Sequence, residues 1–102
     1  MASRLELHEE LCGLLGSQNV YFQPPESIKL SYPCIVYSRS GVDVAKADNR
    51  LYKRINEYEI TVIDRDPDSE ISNYILEHFP MCRFDRDYTS NNLNHTVLTL
   101  YY

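Results

Sequence analysis

The chain has 102 residues, and 10 Lys and Arg against 15 Asp and Glu give a formal net charge of −5. A hydrophobic fraction of 43% with 25% charged residues excludes general disorder and predicts one domain, residues 1–102. The longest apolar run, Cys34 to Tyr37, is far below the roughly 20 residues of a membrane-spanning helix.

The first predicted element is an amphipathic helix that ends at Gly16. Ser3 and Glu6 have the spacing of a capping box, and glycine favours the end of a helix. The apolar residues that recur at helical spacing are Leu7, Leu11, Leu14 and Leu15. Because the acidic residues Glu6, Glu9 and Glu10 interrupt this segment, it does not resemble a signal peptide, and we expect a cytoplasmic site of synthesis.

Ser17 to Ser31 reads as a connector that crosses the surface. The segment is polar, and Pro24-Pro25 opposes helix and favours an extended chain. The adjacent aromatic residues Tyr21 and Phe22 are expected to fix the connector to the core.

Two predicted strands flank a charged segment. Tyr32 to Ser38 is rich in β-branched and aromatic residues. Arg39 to Leu51 follows neither the helical nor the strand period, so we predict a long hairpin arm or a mobile loop. Tyr52 to Asp64 alternates strictly: Tyr58, Ile60 and Val62 share one face, and Glu57, Glu59 and Thr61 share the other.

A second helix is predicted from the change of period after Asp64. Asp66 is the expected N-cap and Pro67 the first helical residue, with Asp68 and Glu70 near the positive end of the helix dipole. The apolar stripe consists of Ile71, Tyr74, Ile75 and Phe79, and Pro80 ends the helix.

The remaining chain predicts a hairpin. Met81 to Tyr88 is a strand, Thr89 to Asn92 has turn chemistry, and Leu93 to Tyr102 is a closing strand with Leu98 and Leu100 on its inner face. The predicted fold is therefore α+β: a mostly antiparallel sheet, two helices packed on one side and a long arm between early strands.

The carboxylate run Asp64 to Glu70 superficially resembles a calcium loop. Counted from Asp64, however, the positions that require Gly and a bidentate Glu hold Ser69 and Ile75. Helix capping and dipole complementation explain the same carboxylates, so no metal site is predicted.

The histidines and cysteines are scattered through the chain. The six residues are His8, His78, His95, Cys12, Cys34 and Cys82. No metal-ligand spacing and no nucleophile motif surrounds any of them. We therefore predict no disulfide, no cofactor and no catalytic residue, and expect that the protein is not an enzyme.

The chain has nine tyrosines, three phenylalanines and no tryptophan. Tyrosine and arginine are enriched in protein interfaces, because each joins apolar area to a polar tip. Alternatively, tyrosine simply replaces Phe and Trp in the core. A long charged segment in so small a domain is itself a sign of function, since such segments are otherwise uncommon.

Three segments carry a family resemblance: Tyr32-Pro-Cys-Ile-Val-Tyr37, Tyr58-Glu-Ile-Thr-Val-Ile-Asp-Arg-Asp-Pro-Asp-Ser-Glu70 and Leu93-Asn-His-Thr-Val-Leu-Thr-Leu-Tyr-Tyr102. With the order of elements, they resemble the tail-terminator (tail-completion) and related neck proteins of long-tailed bacteriophages. The resemblance implies a structural virion protein, assembled in the host cytoplasm, that forms a hexameric ring at the end of the tail tube. The implied partners are the tail tube protein and the head connector or head-closure protein, with DNA passing through the lumen without sequence-specific binding.

A head-to-tail ring needs two different patches on every subunit. The charged residues that we expect to contact a neighbouring copy are Arg39, Asp43, Lys46, Asp48, Arg50, Arg54, Asp64 and Arg65. The alternative from another class is a small monomeric adaptor or regulatory domain that binds one host protein through a tyrosine-rich sheet edge.

Overall fold

The computed structural model describes residues 4–47 and 50–102, with side chains for residues 4–41 and 56–102. The elements in chain order are α1 (Arg4–Leu15), β1 (Val20–Phe22), β2 (Cys34–Ala47), β3 (Arg50–Asp64), α2 (Ile71–His78), β4 (Cys82–Ser90) and β5 (Leu93–Tyr101). The strands form one sheet in the order β1-β2-β3-β5-β4. Every pair except β1 with β2 is antiparallel. The predicted α+β class is confirmed.

The first helix follows the predicted pattern. Leu7 and Leu11 are fully buried, while Leu14 and Leu15 pack partly against the core. Gly16 has a left-handed φ of +82°, and its N–H donates to the carbonyl oxygen of Cys12 at 2.9 Å, which ends the helix. The predicted capping residue Ser3 lies outside the described residues.

The connector contains a strand that the sequence did not predict. Val20–Phe22 forms β1, parallel to β2, with Val20 opposite Ile35 and Phe22 opposite Tyr37. Three residues are too few to display an alternating pattern, and a parallel partner distant in sequence leaves no local signal. The prediction that Tyr21 and Phe22 only fix a connector to the core was therefore incomplete.

The pairing of β2 with β3 extends well beyond the rest of the sheet. It runs from Cys34 opposite Ile63 to Ala47 opposite Arg50, whereas β5 pairs with β3 only from Glu57. Residues 42–55, here called the arm, include these outer strand segments and give the molecule a long axis of 50 Å against 26 and 23 Å. The predicted strand Tyr32 to Ser38 was too short, and the hairpin alternative for the charged segment is confirmed.

The second helix begins later than predicted. Asp66 is not its N-cap: its carboxylate accepts the Asp68 N–H at 2.9 Å within a turn, and α2 starts at Ile71. An Asp-Pro pair favours such a turn as strongly as a helix start, because a short carboxylate can bond nearby backbone in either case. Tyr74 was also misplaced, since it is 50% exposed while Ile75 and Phe79 are buried.

The closing hairpin turns on two residues. Asn91 and Asn92 have φ values of 53° and 62°, the left-handed geometry of tight hairpin turns. The predicted turn residues Thr89 and Ser90 instead belong to β4, because asparagine adopts positive φ far more readily than threonine or serine.

The core lies between one face of the sheet and the two helices. Its largest fully buried side chains are Tyr37 and Tyr58, whose ring centroids are 6.1 Å apart. Tyr58, Ile60 and Val62 are buried on the predicted face of β3, and Leu98 and Leu100 are fully buried on β5. Two of the tyrosines therefore belong to the core, as the alternative explanation of the tyrosine content requires.

The arm should be separable from folding. Replacing residues 42–55 with a short Gly/Ser hairpin should leave the melting temperature nearly unchanged, because residues 4–41 and 56–102 by themselves supply a core cluster with members from both helices and all five strands. Thermal unfolding followed by circular dichroism measures this. Loss of the cooperative transition in that variant would show that the arm belongs to the folding unit.

Candidate interaction surfaces

The sequence of the arm is basic, although the chain is acidic. Within residues 42–55 there are four cations, Lys46, Arg50, Lys53 and Arg54, against the two acids Asp43 and Asp48. The arm therefore carries a net charge of +2. The other residues carry −7, which gives −5 for the whole chain. A basic projection on an acidic body is complementary in charge to a second copy of the same chain.

Seven of the eight residues predicted to contact a neighbour fall into two groups. The arm group is Asp43, Lys46, Asp48, Arg50 and Arg54; four are in the paired strands, and Asp48 lies outside the described residues. Asp64 and Arg65 lie at the opposite end of β3. Because β3 has 15 residues at about 3.3 Å each, its ends are roughly 45 Å apart. The groups therefore meet only if they belong to different copies.

Arg39 and its neighbours form the base of the arm. The Arg39 guanidinium lies 5.8 Å from the Tyr58 ring centroid, and the Ser40 hydroxyl donates to the Glu57 carbonyl oxygen at 3.2 Å. A side chain at Gly41 would place its Cβ 3.2 Å from the Glu57 carboxylate. The strand register also shifts between Arg39 and Gly41, a local bulge that sets the direction in which the arm leaves the sheet.

Tyr102 joins the base of the arm to both helices. Its backbone exchanges hydrogen bonds with Asn56, with N–H to O distances of 3.0 and 3.3 Å. Its hydroxyl donates to the Glu10 carboxylate of α1 at 2.5 Å, and His78 of α2 lies 3.0 Å from the other oxygen of that carboxylate. The Phe79 ring packs edge-on against Tyr102, with 5.9 Å between centroids. We call these residues the Tyr102 clamp.

Protonation states follow from the clamp geometry. The hydrogen bond from Tyr102, reinforced by His78, lowers the pKa of Glu10. The same bond raises the pKa of Tyr102 to about 12, because ionisation would place two negative charges together. At neutral pH the charged Glu10 carboxylate therefore accepts a hydrogen bond from the neutral Tyr102 hydroxyl. Hydrogen bonds to an ionised acceptor are stronger than those between neutral groups.

A second polar cluster fixes the start of α1. Tyr37 is buried, yet its hydroxyl lies 2.7 Å from His8 Nδ1 and receives a hydrogen bond from Arg4 at 3.3 Å. Burial, then the nearby charge of Arg4, lowers the pKa of His8. Neutral His8 can accept a hydrogen bond from the Tyr37 hydroxyl, and the oxygen of that hydroxyl accepts one from Arg4. The buried hydroxyl is therefore satisfied both as donor and as acceptor. Arg4 also lies 4.3 Å from the Phe22 ring centroid, which ties α1 to β1.

Four large apolar side chains on α2 and in or beside β4 are about half exposed. Tyr74 of α2, Met81 before β4, and Phe84 and Tyr88 of β4 are all between 46% and 52% exposed. Tyr88 is partly covered by stacking on His95, with 4.7 Å between ring centroids. Exposed aromatic and aliphatic side chains near a sheet edge are typical of an interaction surface.

Two grooves flank β4. One, of about 350 Å³, lies between α2 and β4, with Phe84 among the acidic side chains of Asp68, Glu70 and Asp87. The other, of about 360 Å³, lies on the sheet face opposite the helices; its lining includes Pro24, Pro25, Ile28, Leu30, Tyr88 and His95. Neither groove has a local sequence signal, because each joins segments that are distant along the chain.

The cysteines are free thiols with little tendency to ionise. Burial raises the pKa of both Cys34 and Cys82 to about 11, and burial also raises that of Cys12. A thiol with a raised pKa is a poor nucleophile at neutral pH. Among the side chains of residues 4–41 and 56–102 there is no group of three metal-ligating residues. No helix in the described part of the chain is long and apolar enough to span a membrane.

The clamp makes a pH-dependent contribution to stability. Tyr102→Phe should lower the free energy of unfolding by about 1 kcal/mol at pH 7, because it removes one hydrogen bond to a partly exposed carboxylate. A lowered pKa of Glu10 stabilises the fold above the ordinary value of 4.5, and this contribution is lost as the pH falls through the lowered value. The difference between wild type and variant should therefore shrink as the pH falls below 4.5.

Urea unfolding at several pH values measures this difference. Tyr101→Phe is the matched control, since the Tyr101 hydroxyl makes no hydrogen bond to the described residues. An equal loss in both variants, or a loss for Tyr102→Phe that does not change with pH, would contradict the assigned bond.

The Tyr102 clamp, the arm and the groove between α2 and β4 are the features from which function is inferred. The chain matches no protein-family model and no curated protein.

Proposed function

We propose that this chain is a structural protein of the head-tail neck of a long-tailed bacteriophage. It acts as a repeated subunit of a ring, hexameric as the family resemblance implies, that ends the tail tube and joins it to the head connector or head-closure protein. The observation that carries the proposal is the arm: a two-stranded, basic extension of a compact acidic body.

The arm gives every subunit two different surfaces. A head-to-tail contact closes into a ring when one patch binds a different patch on the next copy. The arm and the end of the body bearing Asp64 and Arg65 are separated by the length of β3. This polarity supports head-to-tail contact rather than a symmetric pair.

Assembly would also supply stability that the subunit lacks. A domain of this size buries only about two-thirds of the surface that its unfolded chain exposes. An isolated two-stranded ribbon is marginally stable in water, and a third strand or an apolar support stabilises it. Contact with a neighbouring copy would provide a third strand and an apolar support for the arm.

The charge distribution suits passage of DNA. A ring of bodies with net charge −7 outside the arm repels phosphate, and neutralisation by Lys and Arg would be needed for tight binding. DNA would therefore pass through the lumen without being retained.

Electron microscopy of phage particles made without this protein tests the function. We expect tails that are abnormal at their head-proximal end and are not joined to heads, with rescue by the wild-type protein. Normal joined particles in its absence would refute the neck assignment.

The arm should be necessary for assembly. Arg54→Glu reverses a charge at the arm and should weaken binding to tail tubes several-fold without changing the melting temperature. One exposed ion pair contributes only about 0–1 kcal/mol, so burial of apolar groups supplies most of the affinity and charge sets the register.

Co-sedimentation with purified tail tubes measures this effect. Lys29→Glu, a charge reversal at an exposed position of the connector, is the matched control. If the two variants bind alike, the arm does not contribute the contact.

A second candidate function is that of a small monomeric adaptor. The exposed side chains of Phe84, Tyr88 and Met81 on or beside an edge strand favour it, since a partner strand can add to such an edge. An adaptor would remain monomeric at micromolar concentration, alone and with tail tubes, in sedimentation. That result would favour this function over the ring.

A further inference from the structure

The strand β4 is an open edge of the sheet. Within the described residues it pairs with β5 on one side only, and every residue from Arg83 to Ser90 is exposed. Such an edge presents unpaired backbone groups that another strand can use.

An acidic groove lies beside this edge on the face that carries the helices. Phe84 lies opposite Leu98, and Asp87 lies opposite Thr96, so both are on the same face as α2. Asp68 and Glu70, from the segment before α2, line the same groove as Phe84, whose side chain is 52% exposed. A groove that combines an exposed aromatic ring with carboxylates is a favourable environment for a Lys or Arg side chain.

The cations of the body do not neutralise this groove. Across residues 4–41 and 56–102, no ion pair joins Asp68, Glu70 or Asp87 to a Lys or Arg. Arg86 binds Asp85 at 3.0 Å and Glu59 at 3.7 Å, and it lies opposite Val97 on the other face of the sheet. Dipole complementation explains acids before α2, but it does not explain Asp87 on β4.

The arm has the complementary properties. Its strands continue beyond the last residues that β1 and β5 pair with, so it has backbone edges without a partner strand among the described residues. Its sequence supplies four cations over 42–55, whereas the rest of the chain is strongly acidic.

We propose that the β4 edge and the groove between α2 and β4 bind the arm of a second copy of this chain. A strand of the incoming arm adds to β4, and a Lys or Arg of the arm enters the groove over Phe84, among Asp68, Glu70 and Asp87. The contact is head-to-tail, because the arm and the β4 edge are different surfaces. It rests on the proposed function only in requiring that copies of the chain meet in an assembly.

Carbodiimide cross-linking tests the contact directly, because the reagent joins an amine to a carboxylate only when the two touch. Lys46 and Lys53 are the lysines of the arm, and Lys29 is the only other lysine in the chain. The reaction is run on a mixture of ¹⁵N-labelled and unlabelled protein assembled on tail tubes. Mass spectrometry then identifies peptides of mixed isotope, which come from two different copies.

We expect mixed-isotope peptides that join Lys46 or Lys53 to Asp68, Glu70, Asp85 or Asp87. Assembled protein that gives no such peptide, or that joins the arm lysines only to α1 carboxylates such as Glu6 and Glu9, would overturn the proposal.

A charge reversal in the groove provides a second measurement. Asp87→Lys should weaken assembly at least about tenfold, a change of about 1.4 kcal/mol in association free energy. Glu77→Lys is the matched control on α2 outside the groove and should change assembly less than about twofold. Equal effects of the two variants, with unchanged melting temperatures, would refute a role for the groove.

The outcomes separate this inference from the neck function. Assembly on tubes with cross-links elsewhere overturns the arm contact and leaves the neck function standing. The expected cross-links together with normal particles in the absence of the protein overturn the neck function and leave the arm contact standing. A chain that is monomeric under all conditions overturns both.

Discussion

The antiparallel ladder between β2 and β3 supports both the core and the arm. Near one end it places Ile35 opposite Val62 and Tyr37 opposite Ile60, all buried beneath the helices. The same two strands continue past the sheet as the arm. Hydrogen bonds of one continuous ladder therefore fix the direction of the arm relative to the core, so the position of the arm follows from how the core packs. β1, β5 and both helices are arranged around this ladder.

Charge is divided along the same axis. The arm is basic and the body acidic, so the net charge of −5 conceals two regions of opposite sign. In the proposed ring, attraction between unlike regions of different copies would orient them before contact, and apolar groups such as Phe84 would supply affinity once the surfaces meet. A chain with the same net charge spread evenly over its surface would repel its own copies in every orientation.

The elements that sequence predicts well are those whose pattern is local. The strict alternation around Tyr58 and Ile60 places β3, and the leucine spacing from Leu7 onward places α1. The errors have specific causes. The strand β1 depends on a parallel partner elsewhere in the chain, and Asp66-Pro67 serves a turn as readily as a helix start.

The surfaces were harder to predict than the fold. The sequence predicts an interface at the charged residues of the arm. How far these residues lie from the other end of the body, however, depends on the length and direction of β3. The Tyr102 clamp joins residues 92 positions apart in the chain. Nothing in the sequence around Glu10 or Tyr102 indicates such a bond, and the same is true of the groove that Phe84 lines together with the acids before α2.

The Tyr102 clamp has a mechanical consequence. The arm is attached to the body at one end only, so a force on its tip produces the greatest bending moment at its base. Tyr102 lies at that place, beside Asn56. Its hydroxyl binds Glu10 of α1, which also contacts His78 of α2, so the two helices share this force with β5. A force that pulls the arm sideways is therefore resisted by the contacts of Tyr102 with both helices as well as by the pairing of β3 with β5.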